Sequence, residues 1–94
     1  MKNKKLTVTI GIPAYNEEAN IYYLLESIIS QKITQGTLEK IIIISDGSDD
    51  QTVKQAKRVK DKRILIIDNK ERRSAMIVQN EILKIANSDI LVML

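Results

Sequence analysis

The chain has 94 residues, 44% of them hydrophobic and 29% charged, with a formal charge of +3. That make-up belongs to one small globular domain rather than to a disordered chain, and at this size a fold buries only roughly 60–65% of its unfolded surface, which is cramped for an enzyme with two substrates. With no Cys and no His, thiol or imidazole catalysis, disulfides and thiolate or imidazole metal sites are excluded, so any metal must take oxygen ligands.

Residues 6–12 read as a strand, and Pro13 is expected to end it, because proline cannot donate to a ladder and restricts the residue before it. After a turn, Ile21, Leu24, Leu25, Ile28 and Ile29 fall at i, i+3, i+4, i+7 and i+8, one stripe of a helix expected to run to about Lys32. Asn16 is the expected N-cap, with Glu17 and Glu18 in a first turn whose dipole favours negative charge.

Gln35, Gly36 and Thr37 break the pattern, and residues 38–44 supply a second strand. Its four consecutive isoleucines imply burial on both faces, the habit of a central parallel strand. Ser48 with Gln51 three residues on has the form of a capping box, so a second helix is expected from there to about Val59. A third strand over 63–68, a third helix over 74–86 with Ala75, Val78, Ile82, Ile85 and Ala86 inward, and a fourth strand over 89–94 complete the chain.

Strands alternating with helices across short connections predict an α/β fold, a three-layer α/β/α half-Rossmann with a parallel sheet of about four strands and right-handed crossovers, in order 3-2-1-4. Residues 1–94 form one domain in this reading, without repeats or linkers. No apolar run reaches the ~18 residues of a membrane span and no signal-peptide core follows the Lys-rich start, so the expected compartment is the cytoplasm. Cations gather at 54–63 and 70–73 with no aromatic interleaved, which argues for solvated faces and against a nucleic-acid partner.

Two polar peptides follow strand ends, where open α/β sheets bind ligands. They are Pro13-Ala14-Tyr15-Asn16-Glu17 and Ser45-Asp46-Gly47-Ser48-Asp49-Asp50. A carboxylate at Asp46 can accept a hydrogen bond from the ring N–H of a base such as uracil; equally, Asp46-Gly47 can be a tight turn and nothing more. Tyr15 can lay its ring on a base or ribose, and backbone groups at Pro13 and Ala14 can reach the base edge. Glu17 has two readings, a ligand contact or a helix-dipole carboxylate, whereas Asp49 and Asp50 are read as charging the second helix. Neither a G-x-G-x-x-G nor a P-loop pattern is present.

The pair of peptides resembles the start of family 2 glycosyltransferases, inverting enzymes of GT-A fold that use nucleotide-activated sugars. Pro13, Tyr15, Asn16 and Glu17 match the family's first segment, and the second differs from Asp-Asp-Gly-Ser-x-Asp only in having Ser45 for the first Asp. By that likeness Asp46 is the uracil-binding carboxylate and Tyr15 the stacking ring. Residues 71–83 are similar to the family's Arg-Gly-Lys-x-x-Ala-x-Asn segment, whose cation helps with the diphosphate; Ser74 and Ala75 replace Gly and Lys, leaving Arg73 as the nearest cation, at a helix start that also favours phosphate.

The resemblance implies a UDP-sugar donor and, for a complete enzyme, Mg²⁺ or Mn²⁺ on an Asp-x-Asp motif. The chain reaches Leu94 before any such motif. The expectation is therefore a nucleotide-sugar-binding part that binds no metal by itself, has no catalytic residue of its own and is inactive alone, with membrane association only through regions outside it. The rival expectation is a non-catalytic assembly module with an exposed apolar face and a homodimeric state. A sugar nucleotidyltransferase is a weaker alternative, because Gly11-Ile12-Pro13-Ala14 lacks a Gly-rich basic loop.

Overall fold

Alternation within four isoleucines decides where the helices sit. The computed structural model describes residues 5–31 and 36–94. Its elements are β1 (Leu6–Ala14), α1 (Ile21–Ser30), β2 (Gly36–Asp46), α2 (Thr52–Ala56), β3 (Ile64–Asn69), α3 (Ala75–Ile85) and β4 (Ile90–Met93). Ile41, Ile42, Ile43 and Ile44 of β2 are each 0% exposed. Successive strand residues face opposite ways, so Ile41 and Ile43 pack with Ile21, Leu25 and Ala56 under α1 and α2, while Ile42 and Ile44 pack with Val78 and Ile82 under α3. Each such burial is worth roughly 1.5–3 kcal/mol.

All strand pairs are parallel, and the order is β3-β2-β1-β4 as the sequence predicts. The chain winds outward from β1 through α1 and α2 on one face, then returns over the other face through α3 to reach β4. Gly11 permits that return: a Cβ there would stand 2.6 Å from Ile82 Cγ2, so the missing side chain lets α3 settle on β1.

Several local expectations are corrected. Pro13 does not end β1, which runs on to Ala14 with Pro13 opposite Ile44. Gly11 turns its carbonyl to the β4 side, where it accepts from the Leu94 N–H at 2.9 Å. Pro13, two residues on, turns its ring nitrogen to the same side, away from β2, so its missing N–H forfeits no bond in the β1–β2 ladder. Gly36 and Thr37 not only follow the end of the helical stripe but already open β2, two residues earlier than expected, paired with Leu6 and Thr7. The expected helix end at Lys32 and the break at Gln35 lie outside the described residues.

Asn16 is not the N-cap of α1; that position falls to Asn20, without a side-chain cap, after a turn closed on the Glu17 carbonyl. The capping box at Ser48 does not form either. Its hydroxyl is engaged by Ser45 and Asn16, the Gln51 N–H goes to Glu18, and α2 begins at Thr52. α2 is also shorter than expected, because tightened i→i−3 bonds at Arg58 and Val59 turn the chain and bury Val59. Ser74 does cap α3, accepting from the Ile77 N–H at 3.2 Å. Ala75, expected inward, is exposed. So are Met76 and Leu83 on α3, and Ile90 and Val92 on β4.

Candidate functional site

Three loops leave the carboxyl edge of the sheet, over 15–20, 47–51 and 70–74, and tertiary hydrogen bonds join them. The first two are stitched residue by residue. Asn16 N–H donates to Ser48 Oγ at 3.1 Å and Asn16 Oδ1 accepts from Asp49 N–H at 2.8 Å. Glu17 N–H donates to Thr52 Oγ1 at 2.8 Å, Glu18 N–H to Asp50 Oδ2 at 3.3 Å, and Gln51 N–H to Glu18 Oε1 at 3.0 Å. Asn16 reaches both of its partners from a left-handed backbone, φ 50°, a conformation Asn tolerates better than other residues with a side chain.

Asp50, read from sequence as a charge on a helix start, instead ties the two loops. Burial pushes its carboxyl up, but hydrogen bonds from the Thr52 hydroxyl and N–H and from the Glu18 N–H outweigh it and hold the group below its ordinary value.

The third loop is fastened to Asp46, the last residue of β2. Arg73 N–H lies 3.1 Å from each carboxylate oxygen of Asp46, which is only 6% exposed. Gly47 makes the approach possible. Its φ is 70°, and a Cβ there would fall 2.4 Å from the Arg72 nitrogen, a backbone atom that cannot swing aside. Gly47 N–H in turn donates to the Asn69 carbonyl at 2.9 Å.

So fastened, the loop sends its two arginines in opposite directions. The Arg72 guanidinium lies over the Tyr15 ring, 3.6 Å from its centroid, a cation–π stack. The Arg73 guanidinium turns back along α3 to pair with Glu81, with its Nε 4.0 Å from Asp46 Oδ1.

The result is an open crevice of about 350 Å³ lined by Pro13, Ala14, Tyr15, Glu17, Asp46, Arg72, Ala75 and Val78. Five of the six residues singled out in the sequence, Pro13, Ala14, Tyr15, Glu17 and Asp46, line it together. The sixth, Arg73, does not; its backbone touches Asp46 and its charge is spent on Glu81. Arg72 supplies the cation that the sequence reading gave to its neighbour. The Arg72-Arg73 dipeptide was the signal, but which of two adjacent side chains faces the crevice depends on contacts from β2. Ala75, exposed instead of inward, adds apolar wall, and Val78 does so from the core position expected of it. Pro13 and Glu17 also border an adjoining hollow of about 220 Å³ that Leu94 lines from β4.

Chemically, the crevice offers an acceptor-only carboxylate at its floor, an aromatic face, a guanidinium beside it and backbone groups at a strand end. That set suits a planar heterocycle with an N–H edge and an anionic tail. Among the described residues, no group of three or more Asp, Glu, His or Cys could hold a metal ion. No helix of the described residues is long and apolar enough to cross a membrane.

Known proteins share this sequence pattern and this fold. Residues 9–94 match the family model described as glycosyl transferase family 2. The chain is 42% identical over 79 residues to the UDP-Glc:alpha-D-GlcNAc-diphosphoundecaprenol beta-1,3-glucosyltransferase WfaP of Escherichia coli, covering 84% of this chain and 30% of that protein. It is 43% identical over 51 residues to the 4,4'-diaponeurosporenoate glycosyltransferase of Staphylococcus aureus, covering 54% of this chain and 12% of that protein. Its fold superposes on the mannosyltransferase PcManGT from Pyrobaculum calidifontis, solved with GDP-Man and Mn²⁺, with a TM-score of 0.80 at 23% identity, over 94% of this chain and 26% of that one. The chain thus spans less than a third of the length of each of these proteins.

Proposed function

The chain belongs to glycosyl transferase family 2, and we propose that its crevice binds the nucleotide of a UDP-sugar donor, as one part of an inverting sugar transfer. The carrying observation is the convergence of Tyr15, Asp46 and Arg72 on one cavity from three separate loops. Asp46 accepts the ring N–H of the base, Tyr15 stacks on base or ribose, and Pro13 and Ala14 present backbone groups to the base edge. Glu17, at the mouth, is placed to accept from a ribose hydroxyl. Arg72 meets the first phosphate, and Arg73 contributes through its backbone N–H to Asp46. The donor of the Escherichia coli relative, UDP-Glc, supports a uridine nucleotide.

The expected metal does not fit the described residues. Mn²⁺ in the mannosyltransferase complex makes Mg²⁺ or Mn²⁺ the expected ion, yet the described residues hold no acidic cluster for it. No role as ion ligand, acceptor contact or general base is assigned to any described residue.

Amide NMR titration with UDP, with and without Mn²⁺, tests the reading. Shifts confined to the three loops, led by Tyr15 and Asp46, are expected. The absence of any shift at millimolar UDP under both conditions refutes the assignment.

A second reading, an assembly module, is favoured by the exposed Ile90 and Val92, which alternate with the packed Leu91 and Met93 and so share one apolar face of β4. It places a homodimer on that apolar face, and a clean monomer in sedimentation at high concentration removes it.

A further inference from the structure

Glu81 lies two turns into α3 and does not line the crevice. Its Oε1 is buried and pairs with the Arg73 guanidinium, apart from which that oxygen has no partner among the described residues. The same guanidinium holds its Nε 4.0 Å from Asp46 Oδ1, just beyond hydrogen-bonding range. One cation thus stands between two carboxylates, docked on Glu81 and within a rotamer change of Asp46.

We infer that Glu81 is a positioning residue that keeps the Arg73 guanidinium off Asp46, leaving that carboxylate free to accept from a ligand; the inference rests on the nucleotide reading of the crevice. The electrostatics are direct. A guanidinium forms bidentate bonds with carboxylates, and an unpaired one beside a buried acid closes on it. With Glu81 in place, the hydrogen bond Asp46 accepts among the described residues is from the Arg73 N–H, shared between its two oxygens at 3.1 Å each, so lone pairs remain for the N–H edge of a base. Without Glu81, the side chain of Arg73 occupies the acceptor that the base needs.

The competition has a signature that ordinary structural support lacks. Glu81→Ala should weaken UDP binding by roughly tenfold, the scale of one charge-assisted hydrogen bond. The double variant Glu81→Ala with Arg73→Met should recover most of that loss, because no guanidinium is left to block Asp46. Simple loss of packing predicts the reverse, with the double variant as weak as the single one or weaker. Glu81→Gln, which keeps the volume and an acceptor oxygen, serves if the alanine variant does not fold, and should fall between wild type and alanine.

Isothermal titration with UDP on the 94-residue chain supplies the affinities, and the Arg73 Nε–H resonance, followed without ligand, reports the docking of the guanidinium. A wild type that binds UDP with a Glu81→Ala variant equal to it, or a double variant without recovery, overturns the inference. An Arg73 Nε–H signal unmoved by Glu81→Ala overturns it independently of any ligand. A wild type that fails to bind UDP while that signal moves refutes the nucleotide reading and leaves the guanidinium switch standing.

Discussion

The guanidinium of Arg72 lies 3.6 Å from the centroid of the Tyr15 ring. A residue of the third loop therefore covers an aromatic of the first, and the pair closes one wall of the crevice. Because the cation covers one ring face, a base must take the open face or displace it.

In the proposed nucleotide site Arg72 is assigned to phosphate rather than to the base. Arg72→Ala should weaken UDP about tenfold while changing uridine less than threefold, since only UDP carries the charge a guanidinium pairs with strongly. Parallel calorimetric titrations with the two ligands check the difference. Equal losses for both would assign Arg72 to the base instead.

Asp46 is expected to carry the largest single share of base recognition. Asp46→Asn keeps the shape and an oxygen for the Arg73 N–H but removes the charge, and should cost UDP binding about 10- to 100-fold, as hydrogen bonds to ionised groups are worth ~1.5–3 kcal/mol. Thermal melting should change little by comparison. A variant that binds UDP like wild type contradicts the placement of the base at this carboxylate.

Gly47 holds two loops at contact distance, and both its φ of 70° and the 2.4 Å approach of the Arg72 nitrogen exclude a side chain. Gly47→Ala should lower stability by roughly 2–3 kcal/mol, the sum of left-handed strain and overpacking. It should also move the Arg72 and Arg73 amide resonances. Denaturant titration gives the first and a heteronuclear NMR spectrum the second; a variant as stable as wild type removes the close contact.

Asn16 separates backbone strain from hydrogen bonding. Asn16→Gly keeps the left-handed φ and loses the acceptor for the Asp49 N–H, for a cost of about 1 kcal/mol. Asn16→Ala loses the acceptor and is strained as well, adding about 1–2 kcal/mol. Chemical unfolding should therefore rank wild type above glycine and glycine above alanine. Alanine matching glycine would mean that the turn relaxes.

Acid should reveal the Asp61–Arg63 pair in the turn before β3. Hydrogen bonds from the Arg63 side chain and then its N–H hold the Asp61 carboxyl at about 2, below its ordinary 3.8. A group whose pKa is lower folded than unfolded stabilises the fold above the ordinary value and loses that contribution as pH falls toward 2. With Arg63 a third exposed, the contribution is on the order of 1 kcal/mol. Wild type should exceed Asp61→Asn at pH 6 by that amount, and the two should converge near pH 2. A difference that persists at pH 2 would assign the effect to packing.

The strands and helices were legible in the chain because periodicity is a local property, and their alternation across short connections implies a parallel sheet. Four isoleucines in a row need two covered faces, and the stripe from Ile21 to Ile29 needs one, whatever the rest of the molecule does. Tyr15 and Asp46 could be singled out for a similar reason, since each follows a strand end and parallel strands deliver their ends to one edge. Helix starts were not legible in the same way. Ser48 with Gln51, and Asn16 before Glu17, have the composition of caps, yet their polar groups find partners 32 or 33 residues away.

Sequence by itself determined the run of strands and helices, from the spacing of apolar side chains, and the parallel sheet with its polar edge, from the crossover connections that their alternation requires. Only the tertiary structure decided that Arg72 faces Tyr15 while Arg73 turns to Glu81, and that Asn16 and Ser48 stitch two loops instead of capping two helices. Adjacent residues of equal chemistry are distinguished by what approaches them across space. Here that is the carboxylate of Asp46 and the bare Cα of Gly47, which fix the path of a loop 24 or more residues further along the chain.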